Sequence, residues 1–299
     1  MKNLFLIFTI FLSINAFASD FPDHEPYRIQ SDSGIFGPPY KNIVEELFSL
    51  EKAYPEYSEV IRYGTTIDGR PLSLIKIAKK SIKPKASKAI YIAGAIHGDE
   101  YLNIEDRLPR WFLEKGLRQT SINQFFEEGG SLYIIPILNP DGYDRRRRQN
   151  SAGYDLNRDF DISIEPKIGF SQPETIALKS FLNAEAKLER KLMLSMDYHC
   201  CTGAVLYPWS FTGPTLPMSA KNNFVTASQM IKQHMGNDFE YGTCPDILGY
   251  DAHGTSKDHY YEAYQTLAFT FEGRRNEENK YFDNHTAMWI SLVDLVNKM

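Results

Sequence analysis

Cysteine is scarce in this sequence: three residues in 299, two of them adjacent at Cys200 and Cys201. So few cysteines exclude a disulfide scaffold, and their spacing is not that of a zinc knuckle or ribbon. An excess of one charge is also missing. The 33 Lys+Arg against 38 Asp+Glu leave a formal charge of −5, which argues against a nucleic-acid surface spread over the molecule. Proline (16) and glycine (19) stay at ordinary shares, so the chain does not read as fibrous or disordered. Beyond the first residues there is no apolar run long enough to span a bilayer, so stable membrane insertion is not expected. What is present is 42% hydrophobic and 13% aromatic residues, enough for one large domain with a substantial core.

The opening MKNLFLIFTIFLSINAFASD has Lys2, an apolar stretch from Leu4 to Leu12, and Ala16-Phe17-Ala18 as a small-x-small cleavage pattern. The apolar part falls short of the roughly 20 residues a spanning helix needs. Residues 1–18 therefore read as a secretory signal peptide, leaving 19–299 as a single exported domain, periplasmic or extracellular.

Along that domain, Tyr40 to Ala53 carries a helix-like apolar face through Ile43, Val44, Leu47, Phe48 and Leu50. SEVIRYGTTIDGRPLSLIKIA reads as two strands about a turn at Asp68-Gly69, with one slip of alternation between Leu74 and Ile75. Lys79 to Lys88 reads as a solvated connection. Ala89–Ala93, Leu132–Leu138, Leu192–Met196 and Leu267–Phe271 are short apolar runs of the kind that form buried strands of a mixed or parallel sheet. Ser171-Gln-Pro-Glu174 has the form of a capping box opening a helix through Leu182. Phe224–Met235 and Asn284–Val296 are further helix candidates. The alternation predicts an α/β fold, a sheet with helices on both faces.

His97 and Glu100 follow directly on the Ala89–Ala93 run, and His199 ends the LMLSMDYH run. A lone His-x-x-Glu is a weak signal. A second histidine at the end of another predicted strand strengthens it, because strand ends are where α/β proteins gather reactive groups. Two His and one Glu leave a fourth position on Zn²⁺ open to water, the arrangement of a hydrolytic site.

At this point the chain resembles the zinc carboxypeptidases, the funnelin-type metallopeptidases. The likeness runs through GTTIDGRPL, HGDE, NPDGYD, RQNSAGYDLNRDF, the strand ending at His199, and FTFEG, and so spans most of the exported domain. It implies a mixed, mainly eight-stranded sheet sandwiched between helices, and one Zn²⁺ per chain held by His97, Glu100 and His199. Asp155 matches the carboxylate that orients the first histidine. Glu272 matches the general base and acid.

The resemblance also assigns the substrate side. Arg148 matches the guanidinium that polarises the scissile carbonyl, with Arg147 its replacement if the loop shifts by one. Asn157 and Arg158 match the pair that receives the terminal carboxylate, which a planar guanidinium can bind through two parallel hydrogen bonds. Tyr250 matches the tyrosine that closes over the terminal residue. Gly254, Ser256 and Asp258 keep the family core, but His259 and Tyr260 depart from the aromatic pattern that usually follows, and neighbouring tyrosines compete for the closing role. Lys257 stands where side-chain preference is set. An ammonium there predicts preference for terminal Glu or Asp, or for an amino acid with a second carboxylate such as diaminopimelate. The competing reading is a Lys257 that points to solvent or pairs with Asp258.

The expected partner is a peptide or muropeptide with a free C-terminal carboxylate. Three functions stay open: an exported zinc carboxypeptidase, a peptidoglycan peptidase acting on D- or γ-linked bonds, and a binding protein on the same scaffold. The last needs the loss of a ligand or of the base, and all are present. For the cysteines, a bridge from Cys244 to Cys200 or Cys201, free thiols and an intermolecular link are all open, and a Cys200–Cys201 bridge is the less expected pairing.

Overall fold

A computed structural model describes residues 37–83, 87–164, 169–274 and 278–299. The predicted signal peptide, 1–18, lies outside the described residues. Among these, eight strands form one mixed sheet: β1 Ser58–Thr65, β2 Pro71–Ile77, β3 Ser87–Gly94, β4 Ser131–Ile135, β5 Arg190–Cys200, β6 Ala204–Leu206, β7 Glu240–Gly242 and β8 Leu267–Gly273. Their order is β1-β2-β4-β3-β5-β8-β6-β7. The centre, β4-β3-β5-β8, is parallel, and the strands there are buried on both faces, as their uninterrupted apolar runs require.

Among the described residues nine α-helices accompany the sheet: α1 Tyr40–Ala53, α2 Leu108–Glu114, α3 Thr120–Glu127, α4 Pro140–Arg145, α5 Pro173–Lys187, α6 Met218–Met235, α7 Cys244–Leu248, α8 Ser256–Tyr264 and α9 Phe282–Lys298. They divide between the two faces, and ring contacts show how. Tyr91 on β3 meets Tyr260 on α8, whereas Tyr198 on β5 receives the Trp289 indole N–H of α9 at 2.9 Å. Tyr91 is paired in register with Ser195. Residues 195, 197 and 199 therefore face α8, while 194, 196 and 198 face α9.

The Pro-Asp-Gly-Tyr-Asp segment that carried part of the resemblance has a structural task. Fully buried Asp141 accepts hydrogen bonds from Thr66 Oγ1 and Ser151 Oγ, both at 3.0 Å, and pairs with Arg70 Nη1 at 2.7 Å. Arg70 also reaches Asp144 at 3.0 Å. This ties the β1–β2 turn to α4. Deleting the Asp141 carboxylate strips acceptors from two hydroxyls and one arm of Arg70, whose other arm stays paired with Asp144, so Asp141→Ala is expected to lose about 1.5–3 kcal/mol of stability. Urea unfolding measures it, and a loss within error of zero would show that the cluster is not what holds the turn.

Two sequence expectations are corrected. Helix α5 begins at Pro173 with Gln172 as N-cap and no side-chain cap, so Ser171 and Glu174 do not form a capping box. Asp159 takes over that work: it accepts the backbone N–H groups of Ser171 and Gln172, each at 3.0 Å, and the Ser171 hydroxyl at 2.7 Å. Glu174 is instead buried against the Asn150 amide at 3.3 Å. The second correction concerns the cysteines. Cys200 and Cys201 are bridged to each other across a cis peptide, Cα to Cα 3.0 Å. Cys244 is a buried free thiol, its Sγ–H turned to the Tyr250 carbonyl at 3.3 Å.

Candidate active site

The C-terminal ends of β3, β5 and β8 lie side by side, and the site forms there. His199 and Glu272 are register partners on β5 and β8, so their side chains leave the sheet on the same face. His97 comes three residues after β3 ends. Its turn is tight because Gly98 packs against Gly142 of α4. A Cβ on Gly98 would sit 2.0 Å from the Gly142 carbonyl carbon, which explains why HGDE and NPDGYD occur together in this chain.

The ligand atoms of His97, Glu100 and His199 lie within 4.8 Å of one another. Glu100 Oε2 is 2.9 Å from Nδ1 of both histidines. The His97 Nε2 edge is held by Asp155 Oδ1 at 2.9 Å, which fixes the ring and places its proton on Nε2. Its buried Nδ1 then has a lone pair facing Glu100, close in distance but without hydrogen-bond geometry. One carboxylate oxygen between two imidazole nitrogens, with one nitrogen left unsatisfied, is a donor set that fits a cation of the zinc type. Burial alone would lower the His97 pKa, but Asp155 and Glu100 outweigh it and leave it raised. Burial would likewise raise Asp155, yet His97 and Arg148 hold it below the carboxylate range.

Around this centre a cavity of about 230 Å³ is lined by Arg148, Asn157, Arg158, Tyr250, Lys257 and Glu272 together with the three metal-type ligands. All the predicted site residues except Asp155, which stands behind His97, therefore line one cavity. Arg148, not the exposed Arg147, takes the inner position. It donates to Glu100 Oε1 at 3.0 Å and to Asp155 Oδ2 at 2.9 Å. Glu272 is 9% exposed, and burial pushes its carboxyl up to about 7, against the pull of His199.

Asn157 and Arg158 lie in a single 3-10 turn opened by Asp155, whose carboxylate accepts the Asn157 N–H at 2.9 Å. Asn157 Oδ1 accepts the Ser256 N–H at 3.0 Å, so this turn is fastened to the start of α8. Gly254 permits the approach. Its φ is +71°, and a Cβ would stand 2.8 Å from the Arg158 carbonyl. Lys257, in the first turn of α8, is 2% exposed and does not point to solvent. Its ammonium donates to Ser210 Oγ and lies 3.8 Å from Asp258 Oδ1. Asp258 Oδ2 accepts the Ser210 N–H at 2.9 Å, and its Oδ1, which accepts no hydrogen bond, faces the Lys257 ammonium, so the pairing with Asp258 expected as the competing reading is present as a long ion pair. Tyr250 is 51% exposed at the cavity mouth.

Sequence reasoning missed Thr270, Leu206, Leu248, Thr255, Cys200 and Cys244 as lining residues. Thr270 was within reach: two residues before Glu272 on the same strand, it shares that residue's face. Cys200 was equally within reach, since it directly follows His199 at the end of β5; the others arrive from loops and short elements with no periodic signal.

The zinc carboxypeptidase family model matches residues 43–289. The chain belongs to the zinc carboxypeptidase family. It is 30% identical over 175 residues to carboxypeptidase SOL1 of Arabidopsis thaliana, covering 54% of this chain and 34% of that protein. It is 24% identical over 278 residues to carboxypeptidase B of Helicoverpa zea, covering 78% and 63%. The chain thus spans less than two thirds of the length of these curated relatives. Among solved structures, bovine thrombin-activatable fibrinolysis inhibitor in complex with tick carboxypeptidase inhibitor superposes with a TM-score of 0.70 at 20% identity, over 86% of this chain and 96% of that one. That likeness establishes the fold.

Proposed function

We propose that this chain is an exported, zinc-dependent carboxypeptidase that removes the C-terminal residue of peptides and prefers an acidic one. One observation carries the reading. A two-His, one-Glu donor set shares one cavity with a buried carboxyl, Glu272, and with three cationic side chains, Arg148, Arg158 and Lys257. The reading takes residues 1–18 as the export signal and 19–299 as one catalytic domain. Among the described residues no helix is long and apolar enough to cross a membrane.

A metal held by His97, Glu100 and His199 would supply Lewis-acid polarisation of the scissile carbonyl and acidify water. The chain's own groups do the rest. Arg158 and Asn157 receive the terminal α-carboxylate, which selects the last bond over internal ones. Arg148 faces the scissile carbonyl and stabilises the negative charge that grows on its oxygen. Glu272, whose proton affinity burial raises, takes a proton from the attacking water and passes it to the departing amine. Tyr250 covers the terminal residue and keeps bulk water out.

Lys257 is the specificity element. A buried ammonium whose nearest carboxylate is 3.8 Å away gains more from a substrate carboxylate than from an apolar group. Hydrolysis of a matched peptide set ending in Glu, Leu or Lys tests this. Lys257→Met is expected to raise KM for the Glu peptide by about tenfold or more, roughly 1.4 kcal/mol or above, and to leave the Leu peptide unchanged. Equal turnover of all three by the unaltered protein would sink the preference. A muropeptide tripeptide ending in diaminopimelate belongs in the same set, because its second carboxylate meets the same ammonium. Faster cleavage of that substrate than of any ordinary peptide would make peptidoglycan the target.

A further inference from the structure

The basic stretch at Lys79 to Lys88, expected to be a solvated connection, is exposed at Lys80 and Lys83, and its residues 84–86 lie outside the described residues; three of its lysines also border a concavity. Lys79, Lys80 and Lys83 join Lys76 of β2 and Arg190 of β5 around a separate cavity of about 280 Å³. This cavity also meets Ser87 at the start of β3, the opposite end of that strand from His97. The eight residues of β3 put roughly 25 Å between them at about 3.3 Å per residue.

The charges around this cavity do not balance. Lys79 is paired with Glu127 at 2.6 Å and Arg190 with Glu185 at 2.7 Å. Lys76, Lys80 and Lys83 have no ion pair or hydrogen bond to any described side chain, and the acidic residue on the cavity wall is Glu59 alone. Lys76 is half-buried, its ammonium 5.7 Å from the Tyr133 ring, and burial lowers its pKa. Two exposed ammonium groups, Lys80 and Lys83, and the half-buried Lys76, which feels Glu185 and Glu59 without an ion pair to either, leave positive charge in excess around one concavity, a setting that attracts an anion. Ammonium groups act as point charges on flexible stems, and in that form they bind phosphate. Hydroxyls of Ser87 and Ser131 supply further donors on the wall.

We infer that this cavity is a binding site for a phosphate group, carried by a ligand that the catalytic centre does not process. Bound there, a phosphorylated ligand would hold the enzyme from behind with the active-site mouth free.

The test is titration calorimetry of the full chain with inorganic phosphate, comparing the unaltered protein with Lys76→Gln and with the double variant Lys80→Glu/Lys83→Glu. Saturable binding with a Kd of about millimolar is expected, a typical weak single-group affinity of about −4 kcal/mol. The double variant is expected to bind about tenfold or more weakly. Unchanged peptide hydrolysis and melting temperature in the variants separate this from misfolding and from failure of the proposed catalytic function. Co-sedimentation with phosphatidylglycerol/phosphatidylcholine vesicles, lost in the double variant, identifies a lipid headgroup as the source. Phosphate binding without vesicle binding identifies a soluble phosphorylated ligand. No saturable phosphate binding, equal affinity in the double variant, or equal displacement by acetate would overturn the assignment.

Discussion

Glu272→Gln is expected to lower kcat/KM by about 10³-fold while zinc content and melting temperature stay as in the unaltered protein. The amide keeps the shape of the side chain beside His199 but can no longer accept and return a proton, and positioned acid–base groups contribute about 10²–10⁴ in rate. The carboxyl is 9% exposed, and burial pushes it to about 7, so it stands near the affinity for protons that this transfer requires. Because the residue lines the cavity without being one of the three convergent ligand atoms, metal binding should survive. Steady-state kinetics with parallel metal analysis checks it. Retained activity would remove Glu272 from the mechanism, and loss of metal would move it into the ligand set.

His199→Ala is expected to abolish both stoichiometric metal and activity. Only His97 and Glu100 would then remain, too few to hold zinc in a closed protein site. His199 leaves the sheet from β5 in register with Glu272, and among the described residues no other imidazole joins the cluster. Asp155→Ala is a graded companion. It leaves three ligands but frees the His97 ring, with an expected loss of about 10–100-fold in metal affinity. Zinc competition with a chromophoric chelator separates the two effects. Equal metal binding by His199→Ala and the unaltered protein would contradict the assigned site.

The parts of the fold legible in the sequence were those with a strong period or a complete apolar run. Helix α1 begins and ends where its apolar face does, and three of the four central strands contain their apolar runs whole, whereas β4 ends at Ile135, three residues short of the end of the Leu132–Leu138 run. The ligand residues could be read because each sits just past such a run. Strands β6 and β7, three residues each, are too short to display any period. Helix α5 misled for a physical reason: Asp159, thirteen residues before Gln172, supplies the acceptor that a local capping box would have supplied. The cysteines misled because sequence distance says nothing of side-chain direction. Cys244 does line the cavity as Cys200 does, yet its sulfur is turned to the Tyr250 carbonyl. Lys257 was ambiguous for the same reason, and its burial removes the solvent-facing reading.

The central claim, that Arg158 and Asn157 make this an enzyme of chain ends, has a direct test. The zinc-loaded protein is incubated with one peptide ending in Glu, made once with a free C-terminal carboxylate and once as the amide, and products are followed by mass spectrometry. Loss of the single terminal residue from the free acid, with the amide cut at least about a hundredfold more slowly, is the predicted result, since a bidentate charged contact of roughly 2.7 kcal/mol is forfeited. Cleavage of an internal bond, or equal cleavage of acid and amide, would contradict it.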